Sequence, residues 1–298
     1  MRITQSMMTN SILRQISSGY GKVADYQDQL ASGKKITRPS QDPVVATMGI
    51  SYRTDVSHID KYEDNVSTAN KWIDSSGSAL SSVNDVLNRI RELTVEASND
   101  TYGSDQRAAV AKEVDQLTSQ IVTIGNTQVG GQYIFSGKDT QNVLLTEDSS
   151  GNVSINAKAL ANPVLTIPVN DGMTVPINVD PGQVFSASLF SDLKDLRDTL
   201  NNPDSNGPAI SAYLDKIDRH LDAVTGAQTA SGGNSNRISM IKNRLDTQKT
   251  IATKIMSNNE DADYAETIVK LNQQQNVYTA ALSVGARIIQ TSLVDFLK

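Results

Sequence analysis

Residues able to do chemistry are few in this chain. His58 and His220 are the only histidines and cysteine is absent, which excludes multi-histidine metal sites, zinc–cysteine sites, thiolate nucleophiles and disulfides. Each histidine falls in a helical stretch close to an acid, Asp60 or Asp218, and reads as a surface side chain. Serines are plentiful, but no G-x-S-x-G elbow accompanies them, and neither G-x-G-x-x-G nor a P-loop occurs. Gly130-Gly131 and Gly232-Gly233 follow helical segments, where glycine serves as a left-handed cap. Acid pairs such as Glu63/Asp64 and Asp261/Asp263 read as surface charge and helix starts. On these grounds no enzyme, no cofactor and no metal is expected.

The informative spacing is apolar. Ile12, Ile16, Gly19, Val23, Tyr26 and Leu30 alternate steps of 4 and 3. Tyr264, Ile268, Leu271, Gln275, Tyr278, Leu282, Gly285 and Ile289 repeat that pattern near the other end. Such spacing lines one face of a helix and suits helix-on-helix packing. The apolar members Ile12, Ile16, Val23, Tyr26, Leu30, Ile268, Leu271, Tyr278, Leu282 and Ile289 are therefore the candidate assembly interface. Their burial alone is too small to offset the ordering of two helices, so the pair is expected to fray in a free subunit and to order on assembly.

Composition sets the wider bounds. The 298 residues are only 5% aromatic, which suits long helices with narrow seams. A net charge of -6 argues against a dedicated nucleic-acid binder. Residues 1–40 are locally basic, with Arg2, Arg14, Lys22, Lys34, Lys35 and Arg38 against Asp25 and Asp28, and read as a solvated helix face. No run of 18 apolar residues predicts a membrane span. Met1-Arg2-Ile3-Thr4-Gln5 lacks the apolar block of a secretory signal, so export would need another route.

Proline divides the map. None of the eight prolines falls in 44–162 or 209–298, which leaves both stretches free to be helical. Ile59, Val66, Ile73, Leu80 and Leu87 recur every seven residues, interleaved with Tyr62, Ala69, Ser76, Val83, Ile90 and Ala97, and predict one helix over about 45–99. A second helix, capped at Ser104 with Arg107, carries Val110, Val114, Leu117, Ile121 and Ile124. Residues 132–186 change character: short β-branched runs are punctuated by Ser150-Gly151-Asn152, Asn170-Asp171-Gly172 and Asp180-Pro181-Gly182, a hairpin signature. Helical periodicity returns at 189–200 and 210–224, is expected to break at Ser231-Gly232-Gly233-Asn234, and runs on to the end. The expected fold is mainly α: a long-helix bundle and coiled coil formed by both chain ends, with a small inserted β domain lying distally. The expected division is 1–42 N-terminal arm, 43–135 first half of the bundle, 136–186 β insertion, 187–260 second half, and 261–298 C-terminal arm.

Several motifs resemble bacterial flagellins. Leu30-Ala31-Ser32-Gly33-Lys34-Lys35-Ile36 followed by Arg38-Pro39-Ser40-Gln41-Asp42-Pro43 resembles the N-terminal L-x-S-G-x-x-I run and its acidic turn. Leu87-Asn88-Arg89-Ile90-Arg91-Glu92-Leu93 resembles the helix motif with its R-x-R-E-L core. The resemblance covers about 1–140 and 187–298. Within the family, Arg2–Met7, the proline-containing 38–43 turn, Gly131-Gln132-Tyr133-Ile134-Phe135-Ser136-Gly137 and Ser292-Leu293-Val294-Asp295-Phe296-Leu297 resemble the branch found at the hook–filament junction.

That resemblance implies a structural adaptor of the flagellum, required for filament assembly and motility. Its partners would be the hook-side junction protein (hook-associated protein 1), flagellin, further copies of itself in a ring, and an export chaperone on the C-terminal helix. Its place would be outside the cell, reached by flagellar type III export. The alternatives are a minor flagellin and a hydrolase on a flagellin-like frame. The second would need a reactive cluster within 136–186, where the only acids are Asp139, Glu147, Asp148, Asp171 and Asp180. Arg89, Glu92 and Leu93 align with a flagellin patch read by innate receptors, but helix packing is the reading taken for them here.

Overall fold

The computed structural model describes residues 5–99, 101–148 and 151–296, with side chains described between 7 and 287. The chain opens with helix α1 (Gln5–Ser32), α2 (Pro43–Ala97) and α3 (Ser104–Gly125). A segment of short elements follows: β1 (Gln128–Val129), β2 (Gln132–Tyr133), β3 (Leu145–Glu147), β4 (Val153–Ile155), α4 (Ala157–Ala161), β5 (Thr166–Asn170), β6 (Met173–Pro176) and α5 (Pro181–Val184). Helices α6 (Ala187–Asn201), α7 (Gly207–Ser211), α8 (Leu214–Glu260) and α9 (Tyr264–Phe296) complete it. The chain forms two compact units: unit 1 is Met1–His58 with Gln248–Lys298, and unit 2 is Ile59–Thr247. Helices α2 and α8 run through both.

In unit 2 the heptad pattern of α2 is the core. Val66, Ile73, Leu80 and Leu87 are buried, as are Ala69, Ser76, Val83, Ile90 and Ala97. Helix α8 lies antiparallel to it, held by Arg91–Asp218 at 2.6 Å and by Asn84 and Thr225 at 3.5 Å, and contributes Ile217, Val224, Ala227, Ile238, Ile241 and Leu245. Helix α3 packs on α6, which offers Leu189, Leu193, Leu196 and Leu200. The N-cap of α3 is Gly103, whose N–H donates to the Gln106 side chain, rather than the expected Ser104. Arg107 instead turns inward and donates to the Ser205 carbonyl at 2.6 Å.

The expected break at Ser231-Gly232-Gly233-Asn234 is absent, and α8 is continuous from 214 to 260. Buried neighbours at Ala227, Ser231 and Ile238 hold the helix through a stretch whose local propensity disfavours it. Asp180-Pro181-Gly182 starts helix α5, with the Asp180 carboxylate capping the Gly182 N–H, rather than making a hairpin turn. Asn170-Asp171-Gly172 is the expected turn: β5 and β6 pair antiparallel across it, with Gly172 at φ +68°.

The segment between α3 and α6 forms three separate two-stranded hairpins, and it is built into the core rather than set apart from it. Asn126, just past α3, accepts from the N–H groups of Leu144 and Leu145 and donates to the Leu145 carbonyl at 2.7 Å. Gly125 gives Leu145 and Phe185 the space a Cβ would take. Phe135 and Phe185 meet edge to face at 5.0 Å, both fully buried. The β5–β6 hairpin reaches the long helices, where Asn65 donates to the Pro168 carbonyl at 2.8 Å. Hairpins this small cannot bury their own apolar faces and share those of the helices.

Candidate assembly interface

Within unit 1, α1 and α9 pack antiparallel. On α1, Ile12, Ile16, Val23, Tyr26 and Leu30 are half-buried and Gly19 is buried, as the 4-and-3 spacing predicts. Gly19 faces Gln274 and Tyr278, and Gly285 faces Ile12 and Ile16, so the two glycines admit the partner helix closely. Tyr20 and Tyr278 stack at a tilt, 6.1 Å apart.

On α9 the face turned to α1 differs from the expected one. It runs through Thr267, Leu271, Gln274, Tyr278, Ala281 and Gly285, all buried or half-buried. Leu271 and Tyr278 belong to both sets. Ile268 and Leu282 do not: they are 47% and 42% exposed. Small residues at 267, 281 and 285 allow the close approach, and this turns the bulkier Ile268 and Leu282 to the margin. The side chain of Ile289 lies outside the described residues, as do those of the 2–6 and 292–297 motif positions.

The result is a unit rich in uncovered apolar side chains. Met7, Leu13 and Tyr20 on α1 are exposed, as are Val269, Val277 and Val284 on α9. Val44, Met48 and Ile50 at the start of α2, and Ile251 and Ile255 near the end of α8, are exposed too.

Polar groups close the head of this unit. Asp42 caps α2, its carboxylate accepting from Val44 and Val45, with Pro43 at the first helical position. Gly33 ends α1 at φ +70°. The two connectors then pair: the Lys35 N–H donates to the Glu260 carbonyl at 2.6 Å, and the Ala262 N–H to the Gly33 carbonyl at 2.9 Å. Lys34 meets Asp261 at 2.6 Å and Glu260 at 3.5 Å. Glu260, buried, receives Arg53 at 2.8 Å. The hydrogen bond from Arg53, aided by Lys34, holds the Glu260 carboxyl below the usual glutamate range despite its burial. Lys34 does the same for Asp261 and is itself raised by that contact. Beside this cluster is a pocket of about 210 Å³ lined by Ile36, Pro39, Val45 and Ile50, with Arg38 and Arg53 on it. Sequence reasoning missed the cluster and took Asp261 for plain surface charge. No local signal marks it, because its two halves, Lys34 with Arg53 and Glu260 with Asp261, lie more than 200 positions apart.

Other singled-out residues resolve as packing. His220 is a half-buried side chain rather than a surface one, bonded to Asp192 at 2.9 Å, and Asp192 also pairs with Lys216 at 2.8 Å. Arg89 pairs with Glu113 at 2.9 Å and Glu92 at 3.3 Å, while Leu93 is buried. Among the described residues no cluster of three or more metal-ligating side chains occurs, and no helix is long and apolar enough to cross a membrane.

Comparison with known proteins gives a consistent set. A family model of the bacterial flagellin N-terminal helical region matches residues 3–140, and one of the C-terminal helical region matches 214–297. Flagellar hook-associated protein 3 of Escherichia coli is 26% identical over 300 residues, covering 94% of this chain and 95% of its own. The flagellin of Bacillus subtilis is 22% identical over 297 residues, covering 97% of each. A solved structure of a Vibrio parahaemolyticus protein described as hook-associated superposes with a TM-score of 0.66 at 22% identity, over 74% of this chain and all of that one.

Proposed function

The chain belongs to the bacterial flagellin family, and from that premise we propose that it is the structural adaptor joining the hook to the filament. The observation that carries this reading is the match to a hook-associated protein 3 along nearly the whole of both chains. The proline-containing 38–43 turn points the same way. Physically, the adaptor reading accounts for a subunit whose core lies in one unit while the other keeps its apolar side chains uncovered. Faces such as Ile268 and Leu282 would be covered by neighbouring copies in a ring, by the hook-side junction protein on one side and by flagellin on the other. Before assembly, an export chaperone would cover the α9 face, and delivery to the cell exterior would use the flagellar type III route. Nine of the ten seam residues then serve two purposes: seven form or border the α1–α9 contact, and Ile268 and Leu282 face outward to neighbours.

Deletion of the gene in its host tests the reading. Hooks without filaments, with intact flagellin in the medium, is the expected result. Hooks without filaments and no flagellin in the medium would instead indicate a filament subunit. Normal filaments and swimming would refute both.

A further inference from the structure

The head of unit 1 is more elaborate than a helix connection needs. Glu260 buries its carboxylate at the last residue of α8, only 4% exposed. A buried charge is costly unless it is paired and hydrogen-bonded. One oxygen takes Arg53 from α2 and Lys34 from the first connector. The other has no hydrogen-bond partner and rests on the bare Cα of Gly49, where any Cβ would collide with it. Around it, Asn259 donates to the Val45 carbonyl at 3.0 Å, and the connectors exchange two backbone hydrogen bonds. Unit 1 has no fully buried large apolar side chain among its described residues, so nonpolar packing is weak as a source of its geometry. Charge-assisted bonds are directional and can supply what packing does not.

We infer that Glu260 is a positioning residue: seated against Gly49, it locks the 33–42 and 261–263 connectors to each other and to the start of α2. Helices α1 and α9 then leave that clamp as one pair with a single direction. The inference rests on reading α1 and α9 as the assembly surface, because neighbours in a ring can dock only on a pair whose direction is the same in every copy.

The absence of cysteine makes the test direct. Spin labels at Ser51→Cys on α2 and Asn272→Cys on α9, both exposed positions, report the distance distribution across the clamp. One narrow distribution is expected in the parent chain. Glu260→Gln, which keeps the shape but removes the charge, and Gly49→Ala, which evicts the carboxylate, should each broaden it. Hydrogen exchange at the Lys35 and Ala262 amides should rise about tenfold or more, the loss expected for buried bonds to a charged group. Thermal unfolding of unit 2 should not move, and cells carrying either variant should lose filaments. An unchanged distribution with protected connector amides in both variants would overturn the inference. So would loss of unit 2 stability, whereas normal filaments despite a broadened distribution would uphold the clamp and refute the assembly reading of α1 and α9. Failure of the parent gene to restore filaments in the deletion strain would sink the adaptor reading instead, and the distance measurement would still decide the clamp.

Discussion

Units 1 and 2 share helices α2 and α8 but are stabilised by different means. Among the described residues every buried hydrophobic one, from Val66 to Leu245, belongs to unit 2. The buried positions of unit 1, among the described residues, are Gly19, Gly49, Glu260, Thr267 and Gly285: glycines and polar groups. Most of the exposed large apolar side chains, by contrast, are in unit 1. Unit 2 therefore rests on its own apolar burial, whereas in unit 1 polar bonds close the head and much of the apolar surface stays uncovered. The same helix can do both because burial is set by what lies alongside it, and along α2 that changes near residue 58.

The contrast predicts where substitutions hurt. Phe185→Ala removes a fully buried ring between Phe135 and Gly125 and should cost about 3–5 kcal/mol. Denaturant unfolding should show the loss across all of unit 2, helices included; loss confined to the hairpins would break the single-core description.

Acid should act on unit 1 through the clamp. Glu260 and Asp261 have carboxyls lowered by Arg53 and Lys34, so their contribution is present above the unfolded carboxylate range, near pH 4, and is lost as pH falls through the lowered folded values. Lys34 and Arg53, both raised by these contacts, stay charged throughout. Protection of the Lys35 and Ala262 amides, taken as the exchange rate relative to the intrinsic rate at each pH and followed from pH 7 downward, should fall below about pH 4. Protection that persists unchanged to pH 2 would remove the clamp from the account.

Smaller effects sharpen the comparison. Gly232 and Gly233 have open space where a Cβ would stand, so each change to Ala should stabilise α8 by about 0.5–1 kcal/mol, read as a higher melting temperature. Leu282→Asp should alter the free chain least, by about 0.5 kcal/mol or less at its exposed site, yet abolish filament growth. Normal filaments from that variant would refute the outward role of the residue.

Legibility from sequence follows the same division. The α2 heptads were readable because in unit 2 the apolar residues at heptad spacing are the buried ones. On α9 that rule misplaced Ile268 and Leu282, since the seam uses Thr267, Gln274 and Ala281 to bring the helices close. Gly232-Gly233 read as a break because local propensity is visible in a sequence and the packing that overrides it is not. The hairpins were readable from Asn170-Asp171-Gly172, but their docking onto Asn65 and Phe185 depends on partners far along the chain. The Lys34–Glu260–Asp261 cluster carried no pattern at all, being four ordinary charged residues with Arg53 until the fold joins them.

The two halves of that cluster also set an order of events. Lys34 and Asp261 are 227 positions apart, so the clamp cannot close until most of the polypeptide is present. Much of the contact between α3, the hairpins and α6 spans far shorter separations, and closing short loops is entropically easier than closing long ones. A chain emerging from its N-terminus thus holds α1 and the start of α2 without partners through most of its synthesis. Those arms gain their mates last, after unit 2 has what it needs to fold.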